Sequence, residues 1–119
     1  GMTDPGKFPA WMSDDEIDYL VKEFEGSGFR GPLNRYRNFH RDFAAASRHA
    51  GKKITQPALF MAGDRDVGIR MFGRNVEPRM REHFADLRGF HLIEGAGHWN
   101  QQEKPSETNR LLLDWLKGL

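Results

Sequence analysis

Cysteine is absent from the 119 residues, which removes a disulfide framework, a thiolate nucleophile and every cysteine-based metal site. A reducing, cytoplasmic location is compatible with that and is the expectation. No apolar run approaches the roughly 20 residues that span a bilayer, so no membrane partner is expected. The N-terminus Met2-Thr-Asp-Pro-Gly6 lacks the charged-then-apolar profile of a signal peptide, and Gly1 before Met2 reads as a tag-cleavage scar. Net charge is nearly absent as well. Eighteen Lys and Arg against 17 Asp and Glu leave +1, so bulk electrostatics favour neither nucleic acid nor an anionic surface. Five histidines are present, but none forms a His-x3-His or His-x-His pair with carboxylate support, so no metal and no cofactor is expected. Repeats, low-complexity tracts and long linkers are also missing.

What is present suffices for one modest core. With 38% hydrophobic residues the chain has room for one domain or part of a larger one, and one compact unit is expected. Ser13-Asp-Asp-Glu16 matches the capping box, in which the serine hydroxyl takes a free backbone N–H and the glutamate reaches back. The helix it opens carries Ile17, Leu20, Val21 and Phe24 on one face and stops at Gly26-Ser-Gly28. Pro32 suits the first position of a second helix, running to about Ala46, because its missing N–H would be unpaired there in any case. Residues 1–51 thus read as a tail and a helical pair.

From Ile54 the pattern changes. Pro57-Ala-Leu-Phe-Met-Ala62 is a short apolar run ending in Gly63-Asp-Arg-Asp66, which suits a parallel strand buried on both faces and closed by a polar turn. A loop of about ten residues with Gly68 and Gly73 follows, then a helix across Val76 to Phe84. A second strand over Gly89 to Ile93 ends in Glu94-Gly-Ala-Gly-His98, and a last helix runs from about Ser106 to Leu116 with Ser106 or Glu107 near its N-cap. The order helix-helix, then strand-helix-strand-helix over residues 52–119, implies an α/β chain with a parallel sheet. In such sheets the carboxyl ends of the strands carry the site.

Asp66 and His98 both fall just past such ends, on loops that would be neighbours. A carboxylate there can hold the imidazole tautomer and stabilise its charged form, as a general base that activates water requires. The alternative is that Asp66 caps the following turn and His98 packs on Trp99. Tyr36, by itself, reads as a core or helix-packing aromatic. Arg30, Arg35, Arg37 and Arg41 interleave with Phe29, Tyr36, Phe39 and His40, superficially like a surface for single-stranded nucleic acid, although the near-neutral total argues against such a partner.

Three segments together carry a resemblance. Ser27-Gly-Phe-Arg-Gly-Pro-Leu-Asn-Arg-Tyr36-Arg-Asn38, Pro57-Ala-Leu-Phe-Met-Ala-Gly-Asp-Arg-Asp66 and Gly95-Ala-Gly-His98-Trp-Asn-Gln-Gln-Glu-Lys-Pro105 resemble, in order and spacing, the C-terminal part of soluble epoxide hydrolases of the α/β-hydrolase superfamily. The likeness covers about Pro9 to Leu119. It implies a partial α/β-hydrolase fold, with two cap-type helices followed by strand-helix-strand-helix of a parallel sheet. It also implies roles: Tyr36 as one of two cap tyrosines that donate to the epoxide oxygen, Asp66 as the acid partner, and His98 as the water-activating base.

The family's nucleophile is an aspartate on a strand-to-helix elbow. No Gly-x-Asp-x-Gly or Gly-x-Ser-x-Gly occurs in this sequence, nor the His-Gly-x-Pro loop that supplies oxyanion-hole N–H groups. The expectation is therefore a chain inactive alone, taking a small-molecule epoxide only if a complementary N-terminal half is supplied. Two strands leave unpaired edges, so a homodimer or a complementing hydrolase half is the expected partner, and a non-catalytic, self-associating or partner-binding remnant of an α/β hydrolase is the alternative.

Overall fold

Ser13 opens the first helix as its sequence demands. In the computed structural model, which describes residues 6–119, helix α1 spans Asp14–Ser27. Gly1 to Pro5, with the expected scar at Gly1 and the Met2 terminus, lie outside the described residues. The Ser13 backbone N–H donates to Glu16 Oε2 at 2.8 Å, and the Glu16 N–H donates to Ser13 Oγ at 3.3 Å. Asp14, Asp15 and Glu16 set negative charge against the positive end of the helix dipole. Gly28, at φ 65°, lets the chain leave the helix while its N–H still reaches the Phe24 carbonyl at 2.8 Å. Phe24 and Phe29 then stack across this turn, 4.7 Å between ring centres.

The second helix departs from expectation. Instead of one helix from Pro32 to Ala46 there are two, α2 (Arg30–Arg37) and α3 (Phe39–Ala46), broken at Asn38, whose φ −88° and ψ 1° lie outside the helical region. Asparagine is among the weaker helix formers, and this bridge conformation is open to it at little cost. Pro32 occupies the third position of α2 rather than the first, where its missing N–H is still one that no helical carbonyl would accept.

The chain divides into two compact units, the first ending at Ala50 and the second spanning Gly51–Leu119, where one was expected. No described residue of the first unit is buried; Leu20 and Val21 of the α1 stripe and the aromatics of α2 and α3 are exposed, while Ile17 and Phe24 are half-buried.

The second unit is built on two parallel strands, β1 (Ala58–Gly63) and β2 (Leu87–Ile93). Phe60 pairs with Phe90, Ala62 with Leu92 and Gly63 with Ile93, and the Phe60 and Phe90 rings stack at 5.0 Å. The two strands thus end level, and their following loops start side by side. A parallel bridge between Ile54 and Phe84 extends the pairing at the other end. The expected loop after β1 is mostly helical: α4 (Val67–Phe72) and a 3-10 turn at Gly73–Asn75 precede α5 (Val76–His83). Asp66 supplies the reason, since its carboxylate caps α4 by accepting the Gly68 N–H.

After β2 come a single turn, α6 (Asn100–Glu103), and α7 (Pro105–Lys117). The last helix therefore begins at Pro105, with Lys104 rather than Ser106 or Glu107 at its N-cap. Ala62, Val76, Leu87, Ile93 and Ala96 form the buried core, with Ile93 fully enclosed. Thr108 of α7, also buried, donates its hydroxyl to the Asn100 carbonyl at 3.0 Å and ties α7 to the turn that carries His98.

Candidate active site

The two loops past β1 and β2 are joined by their backbones before any side-chain chemistry begins. Asp64 N–H donates to the Ile93 carbonyl at 3.1 Å, and Arg65 N–H to the Ala96 carbonyl at 2.9 Å. The Asp64 carboxylate accepts the Gly95 N–H at 2.8 Å, and Gly95 turns at φ 72°, a left-handed geometry that glycine takes without steric cost. A Cβ at Gly63 would collide with the carbonyl groups of Ala96 and Gly97, so only glycine at the end of β1 allows this approach.

Upon that frame Asp66 and His98 meet. His98 Nδ1 lies 2.7 Å from Asp66 Oδ2, and the other carboxylate oxygen accepts the Gly68 N–H at 2.6 Å. An ionised carboxylate can only accept, so Nδ1 carries a proton, and in a neutral imidazole the lone pair then lies on Nε2. The His98 hydrogen bond, more than any other influence, holds the Asp66 carboxyl below its ordinary value, with the Gly68 and Ile69 N–H groups assisting and burial opposing. Asp66 is enclosed, its side chain 14% exposed, whereas that of His98 is 66% exposed. The His98 ring stands edge-on to Trp99 at 5.1 Å. The two readings of this pair are thus compatible: one carboxylate caps α4 and orients the histidine, and that histidine also packs on Trp99.

The pair borders a cavity of about 680 Å³. Phe60, Met61, Ile69, Phe72 and Met80 give it an apolar wall, to which Asp66, His98 and Asn100 add polar groups. Such a lining suits a small, largely apolar ligand presented to a few convergent polar atoms. Among the described residues no group of three or more His, Asp or Glu is placed to hold a metal ion. No helix among them is long and apolar enough to cross a membrane.

Tyr36 belongs to the first unit. Its ring meets Phe39 edge-on at 5.9 Å, it is 63% exposed, and its hydroxyl makes no hydrogen bond among the described residues. It is therefore not a core aromatic. Sequence reasoning did not single out Gly63, Asp64 or Glu103. Asp64 was visible within Gly63-Asp-Arg-Asp66, but its partner is a backbone N–H from the other loop. Glu103 accepts the N–H groups of Gly97 and Trp99, a contact no spacing rule announces.

No family model matches the chain. Curated relatives do. Epoxide hydrolase B of Mycobacterium tuberculosis is 46% identical over 115 residues, which cover 97% of this chain and 32% of that protein. Bifunctional epoxide hydrolase 2 of Rattus norvegicus is 38% identical over 117 residues, 98% of this chain and 20% of that one. The chain thus spans about a third, or less, of the length of these relatives. The crystal structure of epoxide hydrolase A from Mycobacterium thermoresistibile superposes with a TM-score of 0.85 at 41% identity, covering 98% of this chain and 36% of that one. In sequence and in fold, this chain matches the C-terminal part of the epoxide hydrolases of the α/β-hydrolase fold.

Proposed function

We propose that Asp66 and His98 are the water-activating half of an epoxide-hydrolase site, and that the 119-residue chain converts an epoxide to a vicinal diol only when a complementary segment supplies the nucleophile. The observation that carries this is the 2.7 Å contact between Asp66 and His98 at the carboxyl ends of two parallel strands, beside an apolar cavity. In this reading the first unit is the cap portion and the second the core portion.

The reaction needs both parts. A carboxylate oxygen of the complementary segment attacks an epoxide carbon, and the ring C–O bond breaks toward the epoxide oxygen. Tyr36, a weak acid but a good donor, stabilises that oxygen as it becomes an alkoxide. The product is an ester. His98 Nε2 then takes a proton from water, the resulting hydroxide attacks the ester carbonyl and the ester bond to the substrate oxygen breaks. The imidazolium proton and the second proton of that water pass to the two diol oxygens, so the diol leaves as the carboxylate and the neutral imidazole are restored. Asp66 stabilises the imidazolium formed in that step.

The test mixes this chain with the complementary portion of epoxide hydrolase B and follows diol formation from a panel of aryl and alkyl epoxides. The mixture is expected to be active and either part alone silent. Diol formation by this chain alone, abolished by His98→Ala, overturns the requirement for a partner.

A second reading, a non-catalytic self-associating protein, is favoured by one observation: Phe29, Tyr36, Phe39 and Phe43 are all more than half exposed. Light scattering separates the two. A stable homodimer that does not exchange with the complementary portion supports self-association, whereas a compact monomer argues against both. A cytoplasmic location fits either reading, supported by a composition without cysteine.

A further inference from the structure

Glu103 reaches back along its own chain and accepts two backbone N–H groups, that of Gly97 at 2.7 Å on one oxygen and that of Trp99 at 3.0 Å on the other. These are the residues on either side of His98. The reach is prepared locally. Glu103 is the last residue of α6, because Pro105 disfavours helical geometry at Lys104, which adopts φ −139° and ψ 57°. The N–H groups of Gln102 and Glu103 both return to the Trp99 carbonyl, at 2.9 and 2.8 Å, so the turn closes on itself. A Cβ at Gly97 would stand 3.0 Å from Glu103 Oε1, tighter than ordinary contact, and glycine there admits the carboxylate.

His98 needs such support. An imidazole as exposed as this one is held by little packing of its own, and its ring neighbour, Trp99, is itself fixed through the N–H bonded to Glu103. An exposed side chain on a free turn would exchange its hydrogen bond to Asp66 for water. We propose that Glu103 is a positioning residue: its carboxylate clamps the peptide on both sides of His98 and so keeps Nδ1 on Asp66 and Nε2 turned toward the site of water attack. This rests on the reading of Asp66 and His98 as the water-activating pair, but the clamp is complete within this chain and is measurable without turnover.

The test is nuclear magnetic resonance on the isotopically labelled 119-residue chain. In Glu103→Gln one acceptor oxygen becomes an amide nitrogen that cannot accept, so one of the two N–H bonds is lost. The Nδ1–H proton signal of His98 is expected to vanish by exchange, and the Asp66 carboxyl midpoint to rise toward its ordinary value. Glu103→Asp keeps two acceptor oxygens and is expected to restore both signals in part. A merely structural role would lower the thermal midpoint and leave both signals of the folded variant unmoved, and that result overturns the proposal.

Should neither variant fold, hydrogen exchange of the unmodified chain decides. The Gly97 and Trp99 amides and the His98 Nδ1–H are expected to open together, and rapid exchange of Nδ1–H beside two protected amides overturns the clamp. Failure of the hydrolase reading looks different: the resonance results stand, and the mixture with the complementary portion makes no diol.

Discussion

Gly63 lies against Ala96 so closely that the smallest side chain on it would run into the Ala96 carbonyl. That carbonyl is already occupied, accepting the Arg65 N–H at 2.9 Å, and neither loop has room to retreat without breaking this bond. Gly63→Ala is expected to cost at least about 2 kcal/mol by this overpacking, read as a lowered urea midpoint. The Asp66–His98 contact should loosen with it, so the His98 Nδ1–H signal is expected to weaken in whatever fraction folds.

Asp66→Asn separates the two duties of this residue. An asparagine oxygen can still accept the Gly68 N–H, so α4 should persist by far-ultraviolet circular dichroism. The amide offers no charge to the imidazolium and no longer dictates which nitrogen of His98 carries the proton. In the complemented enzyme kcat is expected to fall by about 10⁴-fold, with KM little changed.

The pH dependence follows from the lowered Asp66 carboxyl. A group whose value is depressed on folding contributes stability above its unfolded value, about 3.9, and loses that contribution as pH falls through the folded one. Thermal midpoints measured from pH 6 to pH 2 should therefore drop more for the unmodified chain than for Asp66→Asn. Glu16, held low by Ser13, contributes to acid loss in both and cancels in the comparison. His98→Ala removes the principal cause of the shift, and the Asp66 carboxyl should then titrate closer to its ordinary value.

Tyr36→Phe tests the cap assignment. The hydroxyl makes no hydrogen bond among the described residues, so its removal should change stability by no more than about 0.5 kcal/mol, read from the urea midpoint. In the complemented enzyme the ester-forming step is expected to slow by about 10²-fold in single-turnover measurements, while ester hydrolysis is unaffected. An unchanged rate of ester formation removes Tyr36 from the site.

The parts of this structure that were legible in the sequence are those decided within a few residues. Ser13 and Glu16 form both bonds of their capping box, and Gly28 ends the helix they open. The apolar runs before Asp66 and His98 are strands, and both residues stand just beyond the strand ends. Asn38 shows the limit even of local reading. The helix expected from Pro32 to about Ala46 runs straight through it, yet the backbone breaks there, and no buried face in this unit enforces continuity. The helix α4 was obscured by Gly68, a poor helix former that Asp66 nevertheless caps.

Residue order alone dictates which chemical groups this protein holds and roughly where along the chain each stands: a carboxylate after one strand, an imidazole after the next, a phenol on an earlier helix. Folding adds what no local pattern carries: Asp66 bonds His98 and caps α4 at once, Gly63 admits the Ala96 carbonyl, and Glu103 grips both sides of His98. The reason is physical. Caps and strand runs are set by neighbours in sequence, whereas the level ending of β1 and β2, pairing Gly63 with Ile93, is a long-range register fixed by packing around Ile93 and Ala96. Once that register is set, two loops distant in sequence become one site.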